Sequence, residues 1–388
     1  MTKTIIGKRF LILTAIGVAV TGLFFAPHSA QAVNLCVSAT DVTCFTTVQG
    51  AVSAAFSGDT ITVHAGTYNE TVTIDLDYLT IKGKKKAIPV ITGGLVLDGV
   101  TGLVLKELQV QGDAGSNRIV RMVGVITDLK IDKCIFDGEE VVDRHGFASG
   151  TFAGDLTVQK SEFKNIWGWA LFESNSGGVP SEALTNVNFS KNYIHDSKGA
   201  VAIRGLPGTP TTMVTVHDNV WERINDSLGS ATGAWAAIEV NRAMKVSIIG
   251  NDISGVQENS WGEGQALQLW AIGDLNVHHN ELLDNHQGIW LVYGNSKFGP
   301  APTGKIHSNS IAGNTLNAGS FGLNYQQVES VYSGTVNAEC NWWGAADGPS
   351  GDGPGSGDTV TGDVDFDPWA EKESGGCGKG KKKKKKKK

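Results

Sequence analysis

Six segments of the chain share one pattern, apolar-x-apolar-x-x-Asn-x-apolar, and its recurrence at nearly fixed spacing constrains the fold more than any other feature. The segments are VNFSKNYI, VTVHDNVW, VSIIGNDI, LNVHHNEL, GKIHSNSI and VNAECNWW, with asparagines at Asn192, Asn219, Asn251, Asn280, Asn309 and Asn341. Their separations are 27, 32, 29, 29 and 32 residues. Two looser copies precede them, LKIDKCIF and LTVQKSEF, in which Cys134 and Ser161 take the asparagine's place. Such a period marks a solenoid, whose repeats bury their apolar faces only against their neighbours.

The local period says which solenoid. Each copy alternates apolar and polar residues over short β-branched runs, with Gly, Asn, Asp and Ser between them and no helical 3.6-residue pattern. Each repeat is therefore a coil of short strands, and the fifty glycines are expected to supply the tight turns. Stacking pairs each strand with its copy one coil on, about 4.8 Å away, and buries a continuous column of Val, Ile and Leu. The aligned asparagines are expected in an inward turn, their amides bonded to backbone and to one another.

With these repeats the chain resembles the right-handed parallel β-helix proteins of the pectate-lyase-like superfamily. The resemblance covers roughly residues 44 to 370, from FTTVQGAVSAAFSGDTITVHAGTYNETVTI to CNWWGAADGPSG and GDVDFDPW. It implies an all-β right-handed parallel β-helix of about ten coils over 33–370, with a short N-terminal capping helix. Val48, Val52, Ala55 and Phe56 fall on one face of that helix, fit to plug the open end of the core. Fold of this kind does not fix function.

Charge divides the chain into three parts. Residues 1 to 32 run from Lys3, Lys8 and Arg9 through FLILTAIGVAVTGLFF to APHSAQA, the order of a secretory signal cleaved after Ala32. A retained anchor is the alternative, disfavoured because the apolar run is shorter than the ~20 residues a span needs. No later segment is apolar and long enough to span. The net charge is −6, and setting aside the three positive charges of the leader and the nine lysines of the tail leaves −18 for the body. Such a body repels nucleic acid and disfavours polyanionic glycans unless a cation intervenes. The tail, within 371–388, is a solvated basic segment suited either to an anionic surface or to solubility. Five cysteines fit a secreted, cell-surface or periplasmic setting. Cys36 and Cys44 are expected to bridge, Cys340 and Cys377 form a second candidate pair, and Cys134 is left over.

In the resembling family, the strand beyond the Asn turn and its following bend lines a groove. Here those strands read WGWALFES, GAVAIRG, WAAIEVNRA, QALQLWA, QGIWLVYG and FGLNYQQV. If Val201, Ile203, Ile238, Val240, Leu267, Leu269, Ile289, Leu291, Leu323 and Tyr325 point inward, alternation sends Glu173, Arg204, Glu239, Asn241, Gln268, Trp270, Trp290, Asn324 and Gln326 outward. Aromatic faces stack on sugars and amides satisfy hydroxyls, so this face suits a polysaccharide or surface glycan. Three readings stand. Glu173 and Glu239, about 10 Å apart across two coils, form a hydrolase acid and base, near the ~6.5 to 9.5 Å of an inverting pair. Arg204 or Arg242 acts as base or charge stabiliser of a lyase beside a bound cation. Alternatively Arg204 only bridges two glutamates in a structural ladder, and the groove binds glycan or nothing. The tryptophan-Ile-Asp-His, Asn-Thr-Asp and Arg-Ile-Lys motifs of the family's enzymes are absent, as are pectin-methylesterase signatures, Walker loops and Ser-His-Asp arrangements.

Other constellations carry less. Arg144 and His145 suit a turn or the groove rim. Trp221, Trp342 and Trp343 fall at repeat positions that suit core or cap packing. Asp363, Asp365 and Asp367 alternate on one strand face and suit calcium, without the Gly and distal Glu of an EF-hand loop. His278 and His279 are consecutive, so one strand cannot aim both at one metal. His278 aligns with His307 on the next coil and with His217 two coils earlier, which favours exposed stacking over a two-histidine zinc or copper site.

Overall fold

The computed structural model describes residues 32–84, 87–112, 117–168, 170–174, 184–198, 200–205, 208–224, 236–259, 262–293, 303–314, 323–327, 334–373 and 377. Residues 1–31, where a leader is expected, the lysine run and most of the 222–234 insertion lie outside the described residues. The rest forms a right-handed parallel β-helix in which every named strand pairing is parallel. Each coil runs through three strand tracks. The first includes Leu184–Ser190, Thr211–His217 and Thr303–His307; the second includes Tyr193–Ser197, Val220–Ile224 and Glu281–Leu283; the third includes Ala200–Arg204 and Gln287–Tyr293. The long strands Ala236–Ile249 and Gln265–His278 pass from the third track into the first of the next coil. The second track is a separate ten-stranded sheet, matching the coil number expected from the repeat.

The asparagines form the ladder their spacing predicts. Each is at most 2% exposed. Asn251 Nδ2 donates to Asn280 Oδ1 at 2.9 Å and to the Val216 carbonyl at 2.9 Å, while the Asn251 amide N–H donates to the same Asn280 oxygen. The pattern repeats from Asn192 to Asn341. Ser161 and Cys134 continue it at the N-terminal end, Ser161 N–H donating to Asn192 Oδ1 and Cys134 N–H to Ser161 Oγ. A buried amide with every donor and acceptor matched avoids the 1–3 kcal/mol that an orphaned polar group costs.

The turns are not mainly glycine. The residue before each ladder position has left-handed φ, and it is Lys133, Lys160, Lys191, Asp218, His279, Ser308 or Cys340 as well as Gly250. Arg242 and Ala271, at the corner from third to first track, are left-handed too. A non-glycine residue there costs roughly 1–2 kcal/mol, which the adjoining ladder bonds offset.

The core is a set of registered columns. Val201, Ile238, Leu267, Ile289, Leu323 and Val360 pair in succession and are fully buried. Ile203, Val240, Leu269 and Leu291 form the next. Phe136 stacks on Phe163 with centroids 5.1 Å apart, and Trp221 stacks on Phe189. Trp221 and Trp343 are fully buried, in keeping with packing roles, and Trp342 is half-buried.

The single named helix, Val48–Ala54, buries Val48, Ala51 and Val52 in the core. Glu70 accepts from the Val48 and Gln49 amides at 2.7 and 2.9 Å, placing a carboxylate at the helix N-terminus. Phe56 departs from expectation. The helix ends before it, at the extended C-cap Ala55, so Phe56 leaves the helical face and is 72% exposed. Disulfides join Cys36 to Cys44 and Cys340 to Cys377, and Cys134 is a buried free thiol.

Candidate functional site

The third track presents two outward columns. One registers Glu173, Ala202, Glu239, Gln268, Trp290 and Asn324; the other registers Arg204, Asn241, Trp270, Val292 and Gln326. Arg204 therefore does not stand in line between two glutamates, because Ala202 holds that place. It reaches diagonally to Glu239 instead, Nε donating to Oε1 at 2.8 Å and Nη2 to Oε2 at 2.7 Å. This bidentate pair is largely shielded, with side-chain exposures of 29% for Arg204 and 9% for Glu239. Glu173 registers two coils from Glu239, as expected. The side chains of Glu173, Asn324 and Gln326 lie outside the described part of the structure.

The centre of the face lies between Arg204 and Trp290. Trp270 and Trp290 meet edge to face, ring centroids 5.7 Å apart at 81°. Gln268 sits between Glu239 and Trp290 and, although it points away from the core column, is only 1% exposed. Its Oε1, the Oδ1 of Asn241 and the indole Nε1 of Trp290 are buried without a hydrogen-bond partner. Arg242 stands at the left-handed corner after Asn241, within the strand Ala236–Ile249, and burial pulls its pKa down.

Sequence reasoning missed a polar row at the bend before this track. Gln265 Nε2 donates to Gln287 Oε1, and Gln287 Nε2 to the Gly262 carbonyl at 3.3 Å. His286, 2% exposed, lies beside them with Nε2 3.3 Å from that carbonyl. The signal is legible afterwards in GEGQ and NHQG, where amides recur at the start of successive third-track strands.

The remaining candidates separate. Arg144 is fully buried, bonding the Gly138 carbonyl and Glu139, which is a turn role. His145 is 7% exposed, and burial followed by the Arg118 charge pushes its imidazole down to about 4. Asp363, Asp365 and Asp367 are exposed, and Asp363 accepts from Thr335 Oγ1 at 2.9 Å. Among the described residues no group of three or more His, Cys, Asp or Glu side chains is placed to hold a metal.

His278 stacks on His307, centroids 5.0 Å apart, as expected. The expectation that His278 and His279 diverge does not hold. His279 is a left-handed turn residue, not a strand residue, and its Nδ1 returns to 2.6 Å from His278 Nδ1. Burial and the neighbouring imidazoles lower the pKa of His278.

No protein-family model matches the chain, and no curated protein matches it in sequence. Solved structures do. A variant of the PL6-family alginate lyase AlyGC superposes with a TM-score of 0.52 and 18% identity, over 71% of this chain and 39% of that one. The fold is the pectate-lyase-like parallel β-helix. A pectin methylesterase in complex with a hexasaccharide aligns at 16% identity over 78% of this β-helix and 94% of its own chain, with a TM-score of 0.33. Pectin methylesterase PemA from Erwinia chrysanthemi gives 16%, 75%, 93% and 0.31 in the same terms. At these identities the likeness is one of fold, and this β-helix spans about two fifths of the alginate lyase chain.

Proposed function

We propose that this β-helix engages a polysaccharide along its third track, with Trp270 and Trp290 as stacking surface, Arg204 and Asn241 as polar contacts and the buried Gln268 as support beneath them; Asn324 joins them on sequence grounds. The observation that carries this reading is the edge-to-face pair of half-buried tryptophans on the two outward columns, one and two coils beyond Glu239. Fold likeness to proteins described as an alginate lyase and pectin methylesterases supports the same chemical class. Two disulfides support an exported setting, secreted, periplasmic or at the cell surface.

Binding is favoured over cleavage because both Glu239 oxygens are engaged by Arg204, leaving that carboxylate in a fixed ion pair. A second reading, hydrolysis by Glu239 and Glu173, rests on their two-coil register. Calcium held by Asp363, Asp365 and Asp367, and attachment of the lysine tail to an anionic surface, remain separate proposals on sequence grounds.

The test is a polysaccharide panel scored for binding, for new reducing ends and for unsaturated products, with and without calcium. Trp290→Ala is expected to weaken binding at least about tenfold, the loss of one aromatic–sugar contact. Product formation abolished by Glu239→Gln would instead establish the hydrolytic reading. Absence of binding and of product across the panel rejects both.

A further inference from the structure

His279 is a turn residue, and with that the reason for keeping His278 and His279 from a common metal falls away. We infer that His278 Nδ1 and His279 Nδ1 form a two-imidazole chelate for a tetragonal divalent transition-metal ion, of which Cu(II) binds tightest.

The turn aims the second ligand. The residue ahead of each ladder asparagine is left-handed, and at three coils its side chain folds back on the Nδ1 atom of a preceding histidine. Asp218 Oδ2 stands 3.0 Å from His217 Nδ1, and Ser308 Oγ stands 3.1 Å from His307 Nδ1. At His278 the returning group is another imidazole, 2.6 Å away. The backbone beneath is clamped, the His278 carbonyl accepting from Gly250 N–H and Asn280 Nδ2 while His279 N–H donates to the Ser308 carbonyl at 3.0 Å. His279 is exposed and His278 half-buried, so an ion and its waters reach both rings. Burial and the neighbouring imidazoles hold His278 in its neutral form near pH 7, the form that ligates metals.

The separation selects the ion. With metal–nitrogen bonds of about 2.0 Å, two nitrogens at a right angle stand about 2.8 Å apart and two at the tetrahedral angle about 3.3 Å. The observed 2.6 Å lies nearer the right angle, which is the geometry of Cu(II) and not of Zn(II). On binding, the Nδ1 proton between the rings moves to Nε2 of the ring that carried it; the ion takes its place, with water at the other positions. No third side chain is needed, in keeping with the absence of a three-residue metal group among the described residues. The carboxylate beside His217 and the hydroxyl beside His307 are harder donors that suit copper less than a second imidazole does.

The experiment titrates the purified protein with copper(II) chloride and zinc(II) chloride by calorimetry near neutral pH and records the electron paramagnetic resonance of the Cu(II) form. One equivalent of Cu(II) is expected to bind at least about tenfold tighter than Zn(II), with coupling to two imidazole nitrogens. His278→Ala and His279→Asn are each expected to weaken Cu(II) about tenfold or more and to leave one coupled nitrogen. Asparagine tolerates the left-handed turn, so His279→Asn removes the ligand without refolding the coil. His217→Ala, two coils away, is expected to leave both readings unchanged.

Two-nitrogen coupling that survives either ligand variant overturns the site. Zn(II) binding as tight as Cu(II) overturns the tetragonal assignment, and a wild-type protein that takes up no Cu(II) overturns the inference outright.

Discussion

His145 illustrates how a residue that looks functional in sequence acquires a different meaning from its surroundings. It is nearly solvent-excluded beside the fully buried Arg144, and its imidazole is pushed down to about 4 from an ordinary 6.5. Between those values the unfolded chain binds a proton that the folded chain refuses, so stability falls as pH drops from about 6.5 to about 4 and levels off below. The loss is at most about 3 kcal/mol. Urea denaturation at a series of pH values should show this slope, and His145→Gln should flatten it; an unchanged slope in the variant would assign the effect elsewhere. Cys134 shows the same logic in a thiol. Burial pushes it up to about 12, so it stays protonated at neutral pH and serves as packing.

The turn before each ladder asparagine is the smallest element that repeats, and it separates backbone strain from side-chain chemistry. Lys191→Gly should stabilise the protein by a few tenths to about 1 kcal/mol, since relief of left-handed strain exceeds the added chain entropy of glycine. Gly250→Ala should destabilise it by about 1–2 kcal/mol. Equilibrium denaturation of the two variants tests the opposite signs. The ladder itself was readable because an asparagine amide at fixed spacing has one economical structural use. A second ladder was not. Asn285 donates to Asn314, which donates to Asp358, but two asparagines and an aspartate at separations of 29 and 44 make no visible period. Alternation likewise told which side chains leave the core and not how far each coil slips along its neighbour. Arg204 thus emerged beside Asn241, with residues 205–235 intervening between the two strands. The near-complete burial of the outward-pointing Gln268 depends on what covers the face, which no local pattern encodes.

At the scale of the whole molecule the two ends are tied differently. The Cys340–Cys377 bridge closes 37 residues and Cys36–Cys44 only 8. Loop-closure entropy then predicts a loss of roughly 4 kcal/mol on breaking the first and roughly 2.5 on breaking the second. Paired Cys→Ser variants compared by chemical denaturation check the ranking, and equal losses would contradict it. The ladders add a sense of direction to these closures. Along the row each asparagine donates its backbone N–H and one side-chain N–H to the next asparagine toward the C-terminus, and its side-chain oxygen accepts from the one before. Asn341 ends the first row by donating to backbone carbonyls, and Asp358 ends the second as a carboxylate that receives from Gly313 and Asn314. An asparagine is therefore a letter that can be repeated and an ionised aspartate is a full stop, since it has no proton to hand to another coil. The length of this solenoid is punctuated in its sequence, and a designer wishing to lengthen it would insert whole coils upstream of Asp358 and never beyond it.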